Sequence, residues 1–336
     1  MFKIEDILDQ VKIEQLLNKR LAEIQPVMSD IVVHSVQVVK QTFHLDYYNL
    51  VAVYSLSCLE NGIKKDLTIY CSAHSNESRR QTMANLQLLW RKNIPNSQFQ
   101  ANRPLFYEPG CRALFYVGLP GRNLFQCFEN GHQTEINGYL QLTAEWLARL
   151  HRLTLGLNDW PGGREQRIGN VVPGRIRALE KVQENCPQYY SRFVKLYDLL
   201  EQREASHWPN CDNLTMIHGD LHPENVVIND DGAAIIDWAD ASIGDPARDL
   251  GSFMQQLVFM GQRHIDDENY WQQAQSLFLE TYHRAVGINP PADWQKRLKT
   301  YYYFTAFRTA IYFITKSGPE PQRADGLLDE VEANIN

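Results

Sequence analysis

The chain has 336 residues, of which 44% are hydrophobic and 22% charged, with a formal net charge of −7. That is the composition of a soluble globular protein long enough for two domains or lobes. The acidic balance argues against a broad nucleic-acid surface, and no run nears the roughly 18 uncharged apolar residues of a membrane span.

Apolar positions at helical spacing predict an amphipathic helix over residues 3–25, ending near Pro26. The texture then turns to β-branched and aromatic residues, predicting strands at 31–39, 50–59 and 66–71. Asn61-Gly62 marks a hairpin turn between the last two, and KQTFHLDYYN connects the first two. A helix over 76–92 with Asn76 as its cap is followed by strands near 104–108 and 112–117, and GLPGR breaks the pattern at 118–122. Helices are predicted at 134–153, 175–203, 246–261, 269–286 and 298–315, with a short strand at 232–238. Sheet followed by helices predicts an α+β fold in two lobes, with a helix over 1–29, a first lobe over 30–117 and a helical lobe over 118–336. The six cysteines (Cys58, Cys71, Cys111, Cys127, Cys186 and Cys211) form no CxxC pair, which gives no support to a zinc ribbon or redox motif. The start, MFKIEDILDQ, has acids where a secretory signal needs basic and then apolar residues, so a cytoplasmic location is expected.

The chemistry concentrates in IHGDLHPENVVI, residues 217–228. Asp220 and Asn225 lie five apart in a loop, and Asp237 closes the apolar run AAIID twelve residues beyond Asn225. A turn at 229–232 would carry the chain back, so Asp237 could return close to Asn225. An amide and a carboxylate converging on one point suit magnesium, a hard cation served by oxygen ligands. Asp220 is then left to orient an attacking hydroxyl and accept its proton.

These residues resemble the aminoglycoside phosphotransferase and choline kinase branch of the protein-kinase-like superfamily. HGDLHPEN resembles its catalytic loop, IIDWADASIGDPARDL its metal-binding Asp strand and GDPxxDL continuation, FYVGLPGRNL its hinge, and EWLARLHRL the helix before the catalytic half. The resemblance covers roughly residues 30–260 and is most specific over 217–250. It implies a small antiparallel sheet with one helix, a larger helical lobe, and a cleft for ATP or GTP with one or two Mg2+ ions. By the same resemblance, Asp220 is the catalytic base, Asn225 and Asp237 hold magnesium, and backbone groups of Tyr116, Val117 and Gly118 receive the nucleotide base. His218 then supports the loop. Asp245, Arg248 and Asp249 brace the helical lobe, and Asp240 is either a contact to a cationic substrate group or a solvated cap. The implied reaction moves the γ-phosphoryl to a hydroxyl of a small molecule, with no nucleic-acid or membrane partner.

The sequence departs from that pattern in the first lobe. The connection KQTFHLDYYN has no glycine to approach phosphates, and LTIYCSAH has no lysine where the third strand should carry one. Thr82 or Met83 stands where a helix glutamate is expected, with Glu77 earlier, and Lys40, Lys64, Lys65, Arg79 and Arg80 are the nearby cations. Two rival readings follow. One is a degenerate kinase-like protein that binds without transferring phosphate; the other is a zinc or manganese hydrolase built on His218, Asp220, His222 and Asp237. The aromatic run YYYFTAFRTAIYF is read as core packing rather than a ligand cage, and the acids at 266–268 as a helix start. His222 is left between a phosphate contact and a structural role, and 161–169 is read as a surface loop.

Overall fold

The helical spacing at the N-terminus resolves into a 3-10 turn, Ile4–Leu8, and helix α1, Gln10–Ile24. Between them, the Asp9 carboxylate accepts from the amides of Val11 and Lys12 at 3.0 and 3.1 Å, satisfying two donors that a helix start leaves open. The computed structural model describes residues 2–24, 28–44, 47–76, 78–130, 132–153, 165–208, 214–287 and 289–335. The chain forms two compact units, Met1–Gly121 with Val227–Ala239, and Arg122–Val226 with Asp240–Asn336.

In the first unit, β1 (Met28–His44), β2 (Tyr47–Glu60), β3 (Ile63–His74), β5 (Pro104–Glu108) and β6 (Ala113–Val117) form an antiparallel sheet in the order β1-β2-β3-β6-β5. Between β3 and β5 come α2 (Ser78–Arg91) and β4 (Phe99–Ala101). Asn61 and Gly62 take φ of 54° and 79°, the left-handed pair that a tight hairpin turn needs. One stripe of α1, Ile13, Leu17 and Leu21, is fully buried against sheet residues such as Leu50, Ile69 and Phe115. Each such side chain contributes about 1.5–3 kcal/mol. The neighbouring polar stripe of α1 closes the open edge of β1. Gln10 and Glu14 bond the backbone of Val33 at 2.6 and 2.8 Å, and Asn18 bonds both backbone groups of Ile31 at 2.8 and 3.0 Å.

Two expectations for this unit are corrected. KQTFHLDYYN is not a loop, because β1 and β2 stay paired as far as His44 and Tyr47; the β-formers Thr42, Phe43, Tyr47 and Tyr48 let the ladder run on. The connection is thereby reduced to residues 45–46, which lie outside the described residues. Residues 227–239, expected within the helical lobe, group with the sheet unit instead, and the first division falls after Gly121. The reason is strand pairing: β10 (Gly232–Ile235) lies parallel to β4, with β9 (Val226–Asn229) beside it. Gly232 is required there, since a Cβ would lie 2.1 Å from the Gln98 carbonyl oxygen.

The second unit begins with β7 (Arg122–Asn123) and α3 (Leu124–Phe128), which is closed by a capping box between Asn123 and Gln126. Then follow α4 (Gln133–His151), α5 (Arg175–Asn185), α6 (Tyr190–His207) and β8 (Thr215–Ile217). The single helix expected over 175–203 is broken at Cys186-Pro187, where proline cannot donate its amide and a 3-10 turn, Pro187–Tyr189, intervenes. The chain continues through β11 (Ser242–Gly244), α7 (Pro246–Gly261), α8 (Glu268–Val286), α9 (Trp294–Thr315) and α10 (Pro321–Asn334). The acidic run at 266–268 starts α8, whose Tyr270 amide is capped by Asp267 at 3.0 Å. Helix α9 packs on α7 and α10, and α4 packs on α8. Among the described residues, no helix is long and apolar enough to cross a membrane. The five described cysteines are buried and unpaired; Cys211 lies outside the described residues.

Candidate active site

In the second unit, β8 runs into His218, Gly219 and Asp220, and a 3-10 turn, Pro223–Asn225, ends the loop. Gly219 has φ of 83°, and a Cβ there would come within 2.4 Å of the Asp240 carbonyl oxygen, so only glycine fits. One buried carboxylate fixes the turn. Asp249 accepts the His218 amide at 2.7 Å and the Gly219 amide at 2.8 Å, and His151 Nε2 lies 3.1 Å from it. The other His151 nitrogen meets the Tyr282 hydroxyl at 2.9 Å. Burial opposes ionisation of Asp249, but the hydrogen bond and charge of His151, with His218, hold its carboxyl below the usual range.

His218 is fully buried, and its Nδ1 faces the Asp220 amide at 3.4 Å. Asn225 donates to the Asp220 carbonyl at 2.9 Å and sits 3.0 Å from His222 Nε2. These bonds occupy its amide nitrogen and leave Oδ1 as the atom suited to a hard cation. Asp220 is half-buried and lines a cavity of about 690 Å3 together with His222 and Glu224. That volume suits a small molecule. Asp240 is half-buried on the turn beneath Gly219 and is not among the lining residues.

The far wall of the cavity was not foreseen. Arg248, expected as internal bracing, lines it from α7, and Phe304, Arg308 and Tyr312 line it from α9. The aromatic run therefore divides by face: Tyr301, Phe307 and Ile314 are core, while Tyr312 is 60% exposed. Its period of 3.6 residues announces a helix but not which stripe is buried. Asp245, by contrast, does brace: it caps α7 through the Ala247 amide at 2.9 Å and takes Arg297 in a two-point ion pair.

Deeper in this unit, both carboxylate oxygens of Glu204 accept the Ile168 amide at 3.0–3.1 Å, and one takes the Tyr301 hydroxyl at 3.0 Å. Burial nonetheless pushes its pKa to about 7, against the pull of Ile168, Arg248 and Tyr301. An acid whose folded pKa lies above its unfolded value of about 4.3 favours folding most below that value. The contribution is lost as pH rises through about 7, by roughly 3 kcal/mol. Glu204→Gln should therefore gain roughly 2–3 kcal/mol relative to the native chain between pH 5 and pH 8 in denaturant melts. A difference that does not change with pH would remove the assignment.

In the first unit, Tyr116 lies opposite Tyr70, with rings stacked at 5.6 Å and 11°. The Val117 amide donates to Arg103 at 2.9 Å, the Gly118 amide to Thr68 at 2.8 Å, and the Val117 carbonyl takes Asn102 at 3.4 Å. These hinge groups, expected for a nucleotide base, are thus bonded within the unit. Burial, then the Asp237 charge, push the Tyr116 hydroxyl pKa up, and the Arg79 charge opposes them. Tyr116, Asp237 and Arg79 accordingly share one electrostatic neighbourhood.

Asp237 is exposed and has φ of 61°, a left-handed backbone unusual for a non-glycine residue. Trp238 anchors it from the next position: its indole donates to Ile235 at 2.9 Å, and its carbonyl accepts Asn85 at 3.1 Å. Strand β3 points Ile69, Cys71 and Ala73 into the core and carries no lysine on the alternate positions Thr68, Tyr70 and Ser72. Of the candidate cations, Lys65 pairs with Glu60 and Arg80 lies 5.3 Å over the Tyr107 ring. Arg79 has a buried Nε with no hydrogen-bond partner among the described residues. Thr82 is buried with its hydroxyl on the Ser78 carbonyl, and Glu77 lies outside the described residues. Among the described residues, no group of three or more His, Cys, Asp or Glu could hold a metal ion.

A family model described as a phosphotransferase enzyme family matches residues 66–296. An uncharacterised protein of Bacillus subtilis (strain 168), YcbJ, is 34% identical over 133 residues, which are 38% of this chain and 40% of that relative's length. The chain thus covers under half of that relative. A choline kinase from Cryptosporidium parvum Iowa II superposes with a TM-score of 0.62 at 12% identity, covering 97% of this chain and 95% of that one. Amicoumacin kinase hAmiN, solved in complex with AMP-PNP, Ca2+ and Ami, gives 0.62 at 15% identity, covering 98% and 95%. The α+β fold is therefore the kinase-like one of these small-molecule kinases.

Proposed function

Because the chain belongs to the phosphotransferase enzyme family, we propose that it transfers the γ-phosphoryl of a nucleoside triphosphate to a hydroxyl of a small molecule. The observation that carries this reading is Asp220 on the wall of the 690 Å3 cavity, in a loop clamped by Asp249. Asp220 orients the acceptor hydroxyl and takes its proton as the phosphoryl moves. By the family resemblance, Asn225 and Asp237 are each assigned to magnesium, the one through an amide oxygen and the other through a carboxylate. When bound, magnesium would neutralise charge on the phosphate oxygens. Arg79, rather than a β3 lysine, is the cation assigned to the phosphates, since its Nε has no hydrogen-bond partner among the described residues and its charge, like that of Asp237, acts on Tyr116. Positioning and electrostatics supply most of the catalytic effect.

Calorimetric titration with ATP and with GTP, with and without magnesium, tests this reading. Magnesium-dependent binding that weakens about tenfold or more in Asp237→Ala is the expected result. If neither nucleotide binds under any of these conditions, the chain is a degenerate kinase-like protein.

A further inference from the structure

The cavity beside Asp220 is lined by five cationic side chains, Arg248, Arg263, Arg308, Lys316 and Arg323, against two carboxylates, Asp220 and Glu224. Some of these cations are already engaged. Lys316 and Arg323 both pair with Glu320, and Arg323 lies 4.1 Å over the Phe313 ring. Arg263 lies 5.1 Å over Phe259.

Arg248 lies 5.9 Å over the Phe304 ring, but that contact leaves its polar edge open. It is 2% exposed, and its Nε and Nη1 have no hydrogen-bond partner among the described residues. A buried guanidinium left in that state is costly unless something answers it. The charges of Glu204 and Asp249 favour the ionised form of Arg248, but among the described residues neither acid makes a hydrogen bond to its Nε or Nη1. Asp249 is committed to the amides of His218 and Gly219 and to His151. Glu204 is committed to Ile168 and Tyr301, and its raised pKa leaves it partly neutral near pH 7. Burial, followed by the like charge of Arg308, pushes the Arg248 pKa down. Two guanidiniums that repel across a small-molecule cavity are the arrangement an anion relieves, through paired charge-assisted hydrogen bonds.

The geometry points to an acceptor that carries, besides its hydroxyl, an anionic group, a carboxylate or a phosphate, seated on Arg248 and Arg308. This rests on the phosphotransferase reading and narrows it: polycationic or quaternary-ammonium alcohols are disfavoured by the same wall. Arg308 is half-buried and bonded to the Val172 carbonyl at 3.1 Å, so it can be changed without opening the core.

The test is direct binding, separate from turnover. Inorganic phosphate and malonate are titrated calorimetrically into the full chain, with and without a saturating non-hydrolysable ATP analogue, and into Arg308→Gln. The expected result is that one or both anions bind whether or not the analogue is present, and bind roughly ten- to hundredfold more weakly to Arg308→Gln. Phosphate alone would identify a phosphorylated acceptor, malonate alone a carboxylated one. No binding of either anion, or binding that Arg308→Gln leaves unchanged, overturns the proposal. Failure of the analogue to bind, with anion binding intact, would instead count against the phosphotransferase reading.

Discussion

Asp220→Ala should lower phosphoryl transfer by about a thousandfold while nucleotide affinity stays within about twofold of the native chain. The loop bonds of Asp220 use its backbone, not its carboxylate: its amide meets His218, and its carbonyl accepts Asn225 at 2.9 Å. Truncation to alanine therefore leaves the loop in place and removes only the group facing the cavity. Folding stability should change by less than about 1 kcal/mol. Steady-state kinetics with an acceptor found by screening hydroxyl compounds, beside a calorimetric nucleotide titration, separates the two effects. Retained turnover would take Asp220 out of the reaction.

Asp249→Ala should have the largest structural effect, a loss of roughly 3–5 kcal/mol in unfolding free energy. The carboxylate is fully buried and satisfies two successive amides of the turn, at 2.7 and 2.8 Å, as well as His151. Without it, those donors are stranded where water does not reach. Asp249→Asn, which keeps one acceptor oxygen, should fall between the variant and the native chain. Its pH signature is also defined. The folded pKa of Asp249 lies below the unfolded one, so its contribution is present above about pH 4 and lost as pH falls further. Denaturant melts at pH 7 and pH 3 should show a gap between native chain and Asp249→Ala that narrows in acid. A loss under about 1 kcal/mol at pH 7 would mean the turn is held by other bonds.

The loop was legible because its parts are close in sequence. Asp220, Asn225 and the GDPARDL segment lie within thirty-odd residues and match the family's motif together; the reach of the Asp249 carboxylate back to the His218 and Gly219 amides is a tertiary contact the motif does not spell out. The cavity was not legible, since α7, α9 and α10 bring Arg248, Arg308 and Arg323 to one wall from distant stretches. Arg248 stands between Asp245 and Asp249, both of which brace, and is itself buried; that it also lines the cavity depends on α9, which the GDPARDL segment alone does not reveal. The β1–β2 connection misled in the opposite way: its polar residues are mixed with Thr42, Phe43, Tyr47 and Tyr48, whose β preference carries the hairpin arm on. The left-handed backbone of Asp237 was not legible: aspartate is among the non-glycine residues enriched in that conformation, but only a small minority of aspartates adopt it.

The discontinuous sheet unit also sets an order of events on the ribosome. Its first stretch ends at Gly121 and its last at Ala239, so 118 further residues must be made before the unit is complete. At a synthesis rate of about 5–20 residues per second, that interval is roughly 6–24 seconds. Throughout it, β4 exists without β10, and the buried Asn85 amide exists without the Trp238 carbonyl. A nascent chain thus exposes an unfinished strand edge while most of the intervening helices emerge, which makes Phe99–Ala101 the place where a holding chaperone would matter most during synthesis.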